Sequence, residues 1–153
     1  MKKRRYVLLL TALLMVAVQL RAQHGTEAAN GIKFFKGTFS EALVQAKKEN
    51  KLVFVDFYAV WCVPCKKMAK TVFTQEEVGK YFNEHFINLQ LDAEKGENVE
   101  IAKSYKVAAY PTVAFISSDG KALSVNTGAM DKDELMEAAK IAAGESVSFE
   151  ELY

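Results

Sequence analysis

The residues best suited to carry out chemistry are the only two cysteines of the chain, Cys62 and Cys65. They lie three positions apart, directly after an apolar run at 52–58 and at the predicted start of a helix. A thiol in the first turn of a helix faces unpaired backbone N–H groups and the positive end of the helix dipole, so it ionises readily. Because the thiolate is the nucleophile in disulfide exchange, the pair predicts a two-electron thiol–disulfide reaction without any bound cofactor.

The two cysteines are expected to have different roles. Cys62 lies at the N-terminal side of the helix, where we expect it to be exposed and to attack a substrate disulfide. Cys65, one turn further along and more buried, would then attack Cys62 and release the product thiol. Pro64 suits the first helical turn because its missing N–H has no partner there, and its fixed φ stiffens the loop.

Two other uses of the cysteines are weaker interpretations. A structural disulfide across three residues closes too small a loop to constrain the unfolded chain much. A mononuclear zinc site needs four ligands, and His24 and His85 are the only histidines that could complete one. His24 falls in a predicted leader and His85 precedes a predicted strand, so we expect His85 to be a surface residue at a helix end.

Asp56 interrupts the apolar run that precedes the cysteines. A carboxylate among such neighbours is expected to be buried, with its pKa raised by desolvation. Six residues before Cys62, it would lie behind the helix that carries the cysteines and could take the proton of Cys65 through water. The alternative is an aspartate at a strand end that only bonds to backbone.

A second group of candidate residues lies at 110–112. A proline directly before a strand is tolerated where it begins the strand or forms a cis bond, and the sequence leaves both isomers of Pro111 open. In a cis loop that faces Cys62, the backbone beside Pro111 could pair with an extended substrate segment as a strand does. We therefore expect substrate contacts at Trp61, Val63, Pro64, Tyr110 and Pro111.

Alternating strands and helices must position these residues. Apolar spacing predicts helices after Ser40, after Pro64 with a break near 71–74, at 99–105, and after the capping residue Asp131. Strands are predicted at 32–35 (an edge strand), 52–58 (the central strand), 86–91, and in a hairpin of 112–117 with 122–126. This order predicts an α/β sandwich whose mixed sheet is covered by helices on both faces.

The N-terminal 22 residues have the pattern of a secretory signal peptide. Basic residues at 2–5 precede an apolar run at 6–20, and small or polar residues follow at 21–23. The apolar run is shorter than the roughly 20 residues that span a bilayer as a helix. We predict cleavage after Ala22, a flexible leader at 23–31 and one domain at 32–153, with an uncleaved membrane anchor as the alternative.

The charge of the remaining chain argues against one class of partner. Beyond residue 22 the chain carries 15 Lys and Arg against 19 Asp and Glu, a net charge of −4. A mildly acidic domain with scattered lysines has no basic stripe for phosphate backbones. We therefore do not expect the protein to bind nucleic acid.

The segment 54–66, Phe-Val-Asp-Phe-Tyr-Ala-Val-Trp-Cys-Val-Pro-Cys-Lys, resembles the thioredoxin superfamily, as do 110–112 and Gly128 downstream. The resemblance extends over roughly residues 32–145. Within the superfamily the chain is most similar to the C-terminal domain of the membrane thiol:disulfide interchange protein and to its small exported relatives. The resemblance implies a thioredoxin-like sandwich and four roles: Cys62 as nucleophile, Cys65 as resolving cysteine, Asp56 as buried acid and Pro111 as cis-proline.

Two departures from relatives bear on the pKa of Asp56 and on the direction of exchange. Thioredoxin has Gly-Pro between its cysteines and a lysine facing the buried acid, whereas here the pair is Val63-Pro64 and the aligned position is Asn88. Strong oxidants of the superfamily commonly carry a histidine between the cysteines, whose charge stabilises the reduced thiolate. Because Val63 and Pro64 offer no such charge, we favour a reductase.

The sequence therefore predicts a periplasmic or otherwise exported disulfide reductase. We expect it to act as a monomer on disulfides of exported proteins and to receive electrons from a membrane donor, because an oxidising compartment would leave the pair oxidised. Two alternatives stay open: a net disulfide isomerase or oxidase, and a non-catalytic module that keeps the fold and binds peptides near Pro111.

Overall fold

Helices and strands alternate along residues 31–145, the part of the chain that the computed structural model describes. The elements are α1 (Phe39–Glu49), β1 (Leu52–Tyr58), α2 (Val63–Thr71), α3 (Glu76–His85), β2 (Phe86–Asp92), α4 (Asn98–Ser104), β3 (Thr112–Ile116), β4 (Ala122–Thr127) and α5 (Lys132–Ala142). The predicted signal peptide at 1–22 lies outside the described residues, as do 23–30 and 146–153. None of the helices between residues 31 and 145 combines the length and the apolar composition that a membrane crossing requires.

The strands form a mixed sheet in the order β2-β1-β3-β4. β1 pairs in parallel with β2 and antiparallel with β3, and β3 pairs antiparallel with β4 as a hairpin. The five residues at 53–57 of β1 are buried, as expected of a strand with neighbours on both sides and helices on both faces. The predicted central strand, the hairpin and the mixed sheet are confirmed.

Side chains of β1 alternate between two apolar clusters. Val53, Val55 and Phe57 pack on one face with buried residues of α1 and α4. Phe54 packs on the opposite face with buried residues of α2, α3 and α5. Because side chains alternate along a strand, Asp56 lies on the face of Phe54, the one that α2 covers. The strand thus presents Asp56 beneath the helix that follows it.

The helices begin and end close to where the sequence predicts them. The break between α2 and α3 falls at 72–75, close to the expected 71–74, and Asp131 caps α5 through the N–H groups of Asp133 and Glu134 at 2.9 and 3.0 Å. α1 begins at Phe39, before the expected Ser40. Thr38 is its capping residue because its hydroxyl accepts the Glu41 N–H, at 3.2 Å, and Glu41 accepts the Thr38 N–H in return, at 2.7 Å.

The prediction of an edge strand at 32–35 is wrong. Only Phe34 forms an isolated parallel bridge, to Asn88. The backbone N–H and carbonyl of Lys33, which would pair with a neighbouring strand, bond to side chains instead. Asn83 Oδ1 accepts the Lys33 N–H at 2.8 Å, and Asn88 Nδ2 donates to the Lys33 carbonyl at 3.4 Å. The segment is therefore held by these two asparagine side chains together with two backbone hydrogen bonds of 2.7 Å, from the Ile32 N–H to the Phe73 carbonyl and from the Phe35 N–H to the Asn88 carbonyl.

Gly79 is where this N-terminal segment crosses α3, and it gives a test of the packing. A Cβ at Gly79 would lie 2.2 Å from the Gly31 carbonyl oxygen and 2.6 Å from its Cα. We expect Gly79→Ala to lower the free energy of unfolding in urea by about 1–3 kcal/mol, although alanine is the better helix former. Lys80→Ala, at the exposed neighbouring position, should stay within about 0.5 kcal/mol of wild type. A Gly79→Ala chain as stable as wild type would contradict this close approach.

Candidate active site

Cys62 lies at the junction between β1 and α2. It caps α2, and its Sγ accepts the backbone N–H of Cys65 at 3.2 Å. Its own N–H donates to the Ala59 carbonyl at 3.0 Å, which closes the loop that leaves the strand. A sulfur in this position receives both a backbone N–H and the positive end of the helix dipole, two interactions that favour the thiolate.

Cys62 and Cys65 are joined as a disulfide, with Cα atoms 5.3 Å apart. The expected exposure of Cys62 is wrong: it is 2% exposed and Cys65 is 4% exposed. The reason is that the Cys62 side chain turns back onto the first turn of α2, where both cysteines pack with Ala59, Tyr58 and Tyr110. In the oxidised chain the two cysteines are therefore shielded to a similar degree.

The surface around the disulfide is apolar. Val60, Trp61 and Val63 are 61%, 63% and 74% exposed, and Pro64 is also exposed. Trp61 is held in place because its indole N–H donates to Glu94 Oε2 at 2.9 Å and its ring contacts the edge of Tyr110, with centroids 6.0 Å apart. Three of the expected substrate contacts thus lie on an exposed surface beside the cysteines.

The remaining two expected contacts lie in the loop before β3. The Tyr110–Pro111 peptide bond is cis, the isomer that the resemblance implies. Pro111 is buried, and its carbonyl accepts the N–H of Gly128 at 2.9 Å. Tyr110 is half-buried against the cysteines, and its backbone N–H and C=O make no hydrogen bond to another backbone group within residues 31–145. A substrate strand could therefore pair with Tyr110, whereas Pro111 shapes the loop from within.

Asp56 is buried, as predicted, and lies on the face of the sheet that α2 covers. The register of β1 and β2 pairs it with Gln90, whose Nε2 donates to Asp56 Oδ2 at 2.9 Å. Its other oxygen, Oδ1, has no hydrogen-bond partner within the described residues. Burial raises the pKa of Asp56 to about 6, and the Gln90 hydrogen bond opposes part of that rise.

The placement of Asn88 opposite the buried acid is wrong. Asn88 pairs with Phe54, two residues before Asp56, and its side chain bonds to the carbonyls of Lys33 and Phe82 and to Asn83 Oδ1. The residue that faces Asp56 is Gln90. An alignment of one apolar strand against another can slip by two residues without changing which side chains face the core, and the register of the sheet decides between them.

Two residues that hydrogen-bond to candidate site residues were not found from the sequence, Gln90 and Glu94. Gln90 had one signal, because it is a polar residue in a mostly apolar strand. It lies two positions after Asn88, so the two side chains point to the same side of the strand. Glu94 follows β2 and reaches Trp61 across 33 positions of the chain, a contact that no local pattern indicates. Both partnerships depend on how β2 is aligned beside β1.

His85 lies at a helix end, as expected. His85 ends α3, where its Nδ1 lies 2.9 Å from the Tyr81 carbonyl and its Nε2 lies 3.1 Å from Glu145. Lys66 and Lys67 are exposed on α2. His24 lies outside the described residues, and no group of three His, Cys, Asp or Glu between 31 and 145 is arranged to hold a metal ion.

Comparison with known proteins finds relatives with the same fold. Residues 39–142 match the family model of the thioredoxin-like domain. The thiol:disulfide interchange protein DsbD of Yersinia pestis (strain Pestoides F) is 30% identical over 141 residues, which are 86% of this chain and 24% of that protein. The chain thus spans about a quarter of the length of this relative.

Two solved structures extend the comparison. A protein of Bacteroides thetaiotaomicron, described as a candidate disulphide-isomerase, is 47% identical with a TM-score of 0.69, covering 77% of this chain and 98% of that one. The oxidised C-terminal domain of Neisseria meningitidis DsbD is 27% identical with a TM-score of 0.57, covering 71% of this chain and 97% of that one. The thioredoxin-like fold and the resemblance to the interchange protein are confirmed.

Proposed function

The chain belongs to the thioredoxin-like family, as a disulfide oxidoreductase with a Cys-x-x-Cys pair, and from that premise we propose that it is an exported dithiol reductase of disulfides in other proteins. The observation that carries the proposal is the position of Cys62. Its sulfur caps α2 and accepts the Cys65 N–H, so the reduced chain would hold a thiolate there. No bound cofactor is needed for this exchange.

The first step joins the two proteins. The Cys62 thiolate attacks one sulfur of the substrate disulfide, forming a bond between Cys62 and that sulfur. The substrate disulfide breaks, and its second sulfur leaves as a thiolate that takes up a proton. One covalent mixed disulfide and one substrate thiol result.

The second step releases the substrate. The Cys65 thiol gives its proton to the Asp56 carboxylate through water, and the resulting thiolate attacks Cys62. The bond between Cys62 and the substrate sulfur breaks, the substrate sulfur leaves with the electron pair and is protonated, and the Cys62–Cys65 disulfide forms. Two electrons pass from the dithiol to the substrate. The burial of Asp56 on the face covered by α2, and its raised pKa, support this role.

Substrate recognition is proposed to combine an apolar contact with backbone pairing. Trp61, Val63 and Pro64 provide the exposed surface beside the disulfide, and the backbone of Tyr110 is positioned to pair with an extended segment, next to the buried cis-Pro111. Such recognition depends little on substrate sequence. Because Cys62 is shielded in the oxidised chain, this surface would guide the substrate sulfur to it.

Location and partners follow from the N-terminal pattern and from the relatives. The signal-peptide pattern at 1–22 supports export to the periplasm or beyond. The name of the DsbD relatives, thiol:disulfide interchange protein, supports a role in the exchange of disulfides. A reductase in an oxidising compartment needs a donor, so we propose a membrane electron carrier as one partner and disulfide-containing exported proteins as the others. The domain would act as a monomer.

Reduction of insulin disulfides tests the proposal. The purified protein with dithiothreitol should precipitate the insulin B chain several times faster than the same dithiothreitol alone, because a stabilised thiolate attacks faster than a free thiol that is mostly protonated. The matched control is the protein with both cysteines alkylated. A rate equal to that of free dithiothreitol would contradict the proposed reductase.

A net disulfide isomerase is the second candidate, and the 47% identity to the Bacteroides thetaiotaomicron protein favours it. The two functions share Cys62 and Cys65 but differ in which redox form persists in the cell. Reactivation of scrambled ribonuclease, measured beside the insulin assay and with the reduction potential against glutathione, separates them. Efficient reactivation at a potential close to that of the glutathione couple would favour the isomerase.

A further inference from the structure

Gln90 is the only residue among those described that bonds to the buried carboxylate of Asp56. Gln90 itself is exposed, so its side chain reaches inward from β2 to Asp56 Oδ2 at 2.9 Å. On the other side of β1, Asp56 pairs with Val113, which has no polar side-chain atom. Asp56 therefore has one bonded oxygen, Oδ2, and one buried oxygen without a partner, Oδ1.

We propose that Gln90 is a positioning residue for the proton transfer at Asp56: it holds Oδ2 and leaves Oδ1 as the oxygen that takes the Cys65 proton. The inference rests on the proton-acceptor role of Asp56 in the proposed function. It adds the residue that orients the acceptor and the oxygen on which the proton arrives.

An amide suits this position because it can serve both forms of the acid. Its NH₂ donates to Oδ2 of the carboxylate and, once Oδ1 carries the proton, to the same Oδ2 as the carbonyl oxygen of the acid. A lysine at the same place would also donate to Oδ2, but its positive charge would favour the charged form of the acid. With Gln90, Asp56 can gain and lose a proton without losing its hydrogen bond in either state.

No charged side chain accounts for the environment of Asp56. Burial raises the pKa of Asp56, and the hydrogen bond from Gln90 lowers it by a smaller amount. Tyr58 and Asp92 are the titratable groups nearby on β1 and β2, and the pKa of Tyr58 is raised by burial first and then by the charges of Asp92 and Asp56. On the covering helices, titratable side chains other than the cysteines lie on exposed or partly exposed surfaces: Lys66, Lys67 and Lys70 of α2; Glu76, Glu77, Lys80, Tyr81, Glu84 and His85 of α3; Lys132, Asp133, Glu134, Glu137 and Lys140 of α5.

Two substitutions separate the hydrogen bond of the amide from the effect of a charge. Gln90→Met removes the hydrogen bond, and Gln90→Lys keeps a donor and adds a positive charge. Carboxyl-carbon NMR of Asp56 should titrate near pH 6 in wild type, higher in Gln90→Met, and about one to two pH units lower in Gln90→Lys. Gln45→Met is the matched control, because Gln45 bonds to an exposed carboxylate, that of Glu49.

A kinetic measurement checks whether the reaction follows this titration. A thionitrobenzoate mixed disulfide is formed on Cys62, and the release of thionitrobenzoate by Cys65 is followed in a stopped-flow instrument from pH 4 to 9. The release rate should rise with pH through the same midpoint as Asp56 in each variant, since the carboxylate is the acceptor. Gln45→Met should match wild type in both measurements.

The two measurements keep this inference separate from the function on which it rests. If Asp56 titrates alike in wild type, Gln90→Met and Gln90→Lys, Gln90 does not position it, whatever the insulin activity. If the Asp56 midpoint moves but the release rate does not follow, the proton-transfer role of Gln90 is overturned. Absence of insulin reduction in wild type would overturn the proposed reductase, while thionitrobenzoate release would still report on Gln90.

Discussion

Replacing Cys62 with alanine is expected to abolish the catalysed part of insulin reduction, so that the rate falls several-fold to that of dithiothreitol alone. Cys62 is the only sulfur that caps α2 and accepts the Cys65 N–H, so no other group can supply the attacking thiolate. Cys65→Ser should also lose turnover, but for a different reason. It keeps the first step and lacks the second, so a covalent adduct between Cys62 and insulin should accumulate.

The adduct distinguishes the two roles. We expect a band of the combined mass on a non-reducing gel for Cys65→Ser, which dithiothreitol removes, and none for Cys62→Ala. Val63→Ser, at an exposed position between the cysteines, is the control for disturbance of the loop and should still turn over insulin. Equal adduct formation by Cys62→Ala and Cys65→Ser would contradict the assignment of nucleophile and resolving cysteine.

The second large effect concerns stability, and it comes from Asp56. Its pKa is about 6 in the folded chain, against 3.8 for an ordinary aspartate. Between those values the folded chain binds a proton that the unfolded chain has released, so stability falls as pH rises from about 4 to 6 and then stays level. The difference between the two pKa values corresponds to about 3 kcal/mol. Ionised Asp56 thus destabilises the fold at neutral pH.

Asp56→Asn removes this ionisation and tests its sign. The stability of the variant relative to wild type should increase by about 2 kcal/mol between pH 4 and pH 7, measured by urea unfolding of the disulfide form at each pH. Any fixed cost of burying the asparagine amide is the same at both pH values and cancels. A relative stability independent of pH would mean that Asp56 is not buried as an acid.

Asp119→Asn is the matched control for this series. Asp119 is exposed in the turn of the hairpin, and its hydrogen bond to Ser117 lowers its pKa. An acid with a lowered pKa stabilises the folded chain once it is ionised, and loses that contribution as pH falls. The relative stability of Asp119→Asn should therefore change in the opposite direction to that of Asp56→Asn, and by less, because the side chain is solvated.

The destabilising carboxylate and the proposed chemistry share one physical origin. Burial raises the pKa of Asp56 toward neutral pH, where it can exchange a proton during the reaction, and the same burial makes its charged form costly to the fold. Gln90 moderates that cost by one hydrogen bond. Asp56→Asn is accordingly expected to gain stability while it slows thionitrobenzoate release by Cys65.

Most of the secondary structure was predictable because it depends on short-range patterns. The apolar run at 52–58, the capping aspartate before α5 and the turn sequence of the hairpin each specify a local conformation. The segment at 32–35 was not predictable in this way. Its alternation fits a strand, but the side chains of Asn83 and Asn88, some 50 positions away, bond to its backbone instead.

The cysteine pair and Asp56 were determined by the sequence alone, because residue type and position along one continuous segment place them at the end of β1 and the start of α2. Their surroundings were decided only by the tertiary structure. Which residue of β2 faces Asp56 depends on strand register, the pairing of Trp61 with Glu94 depends on how separate segments meet, and the shielding of Cys62 depends on Tyr110 packing against it. Each of these is a contact between parts of the chain that are far apart in sequence, and its geometry follows from packing of the whole sheet rather than from any local pattern.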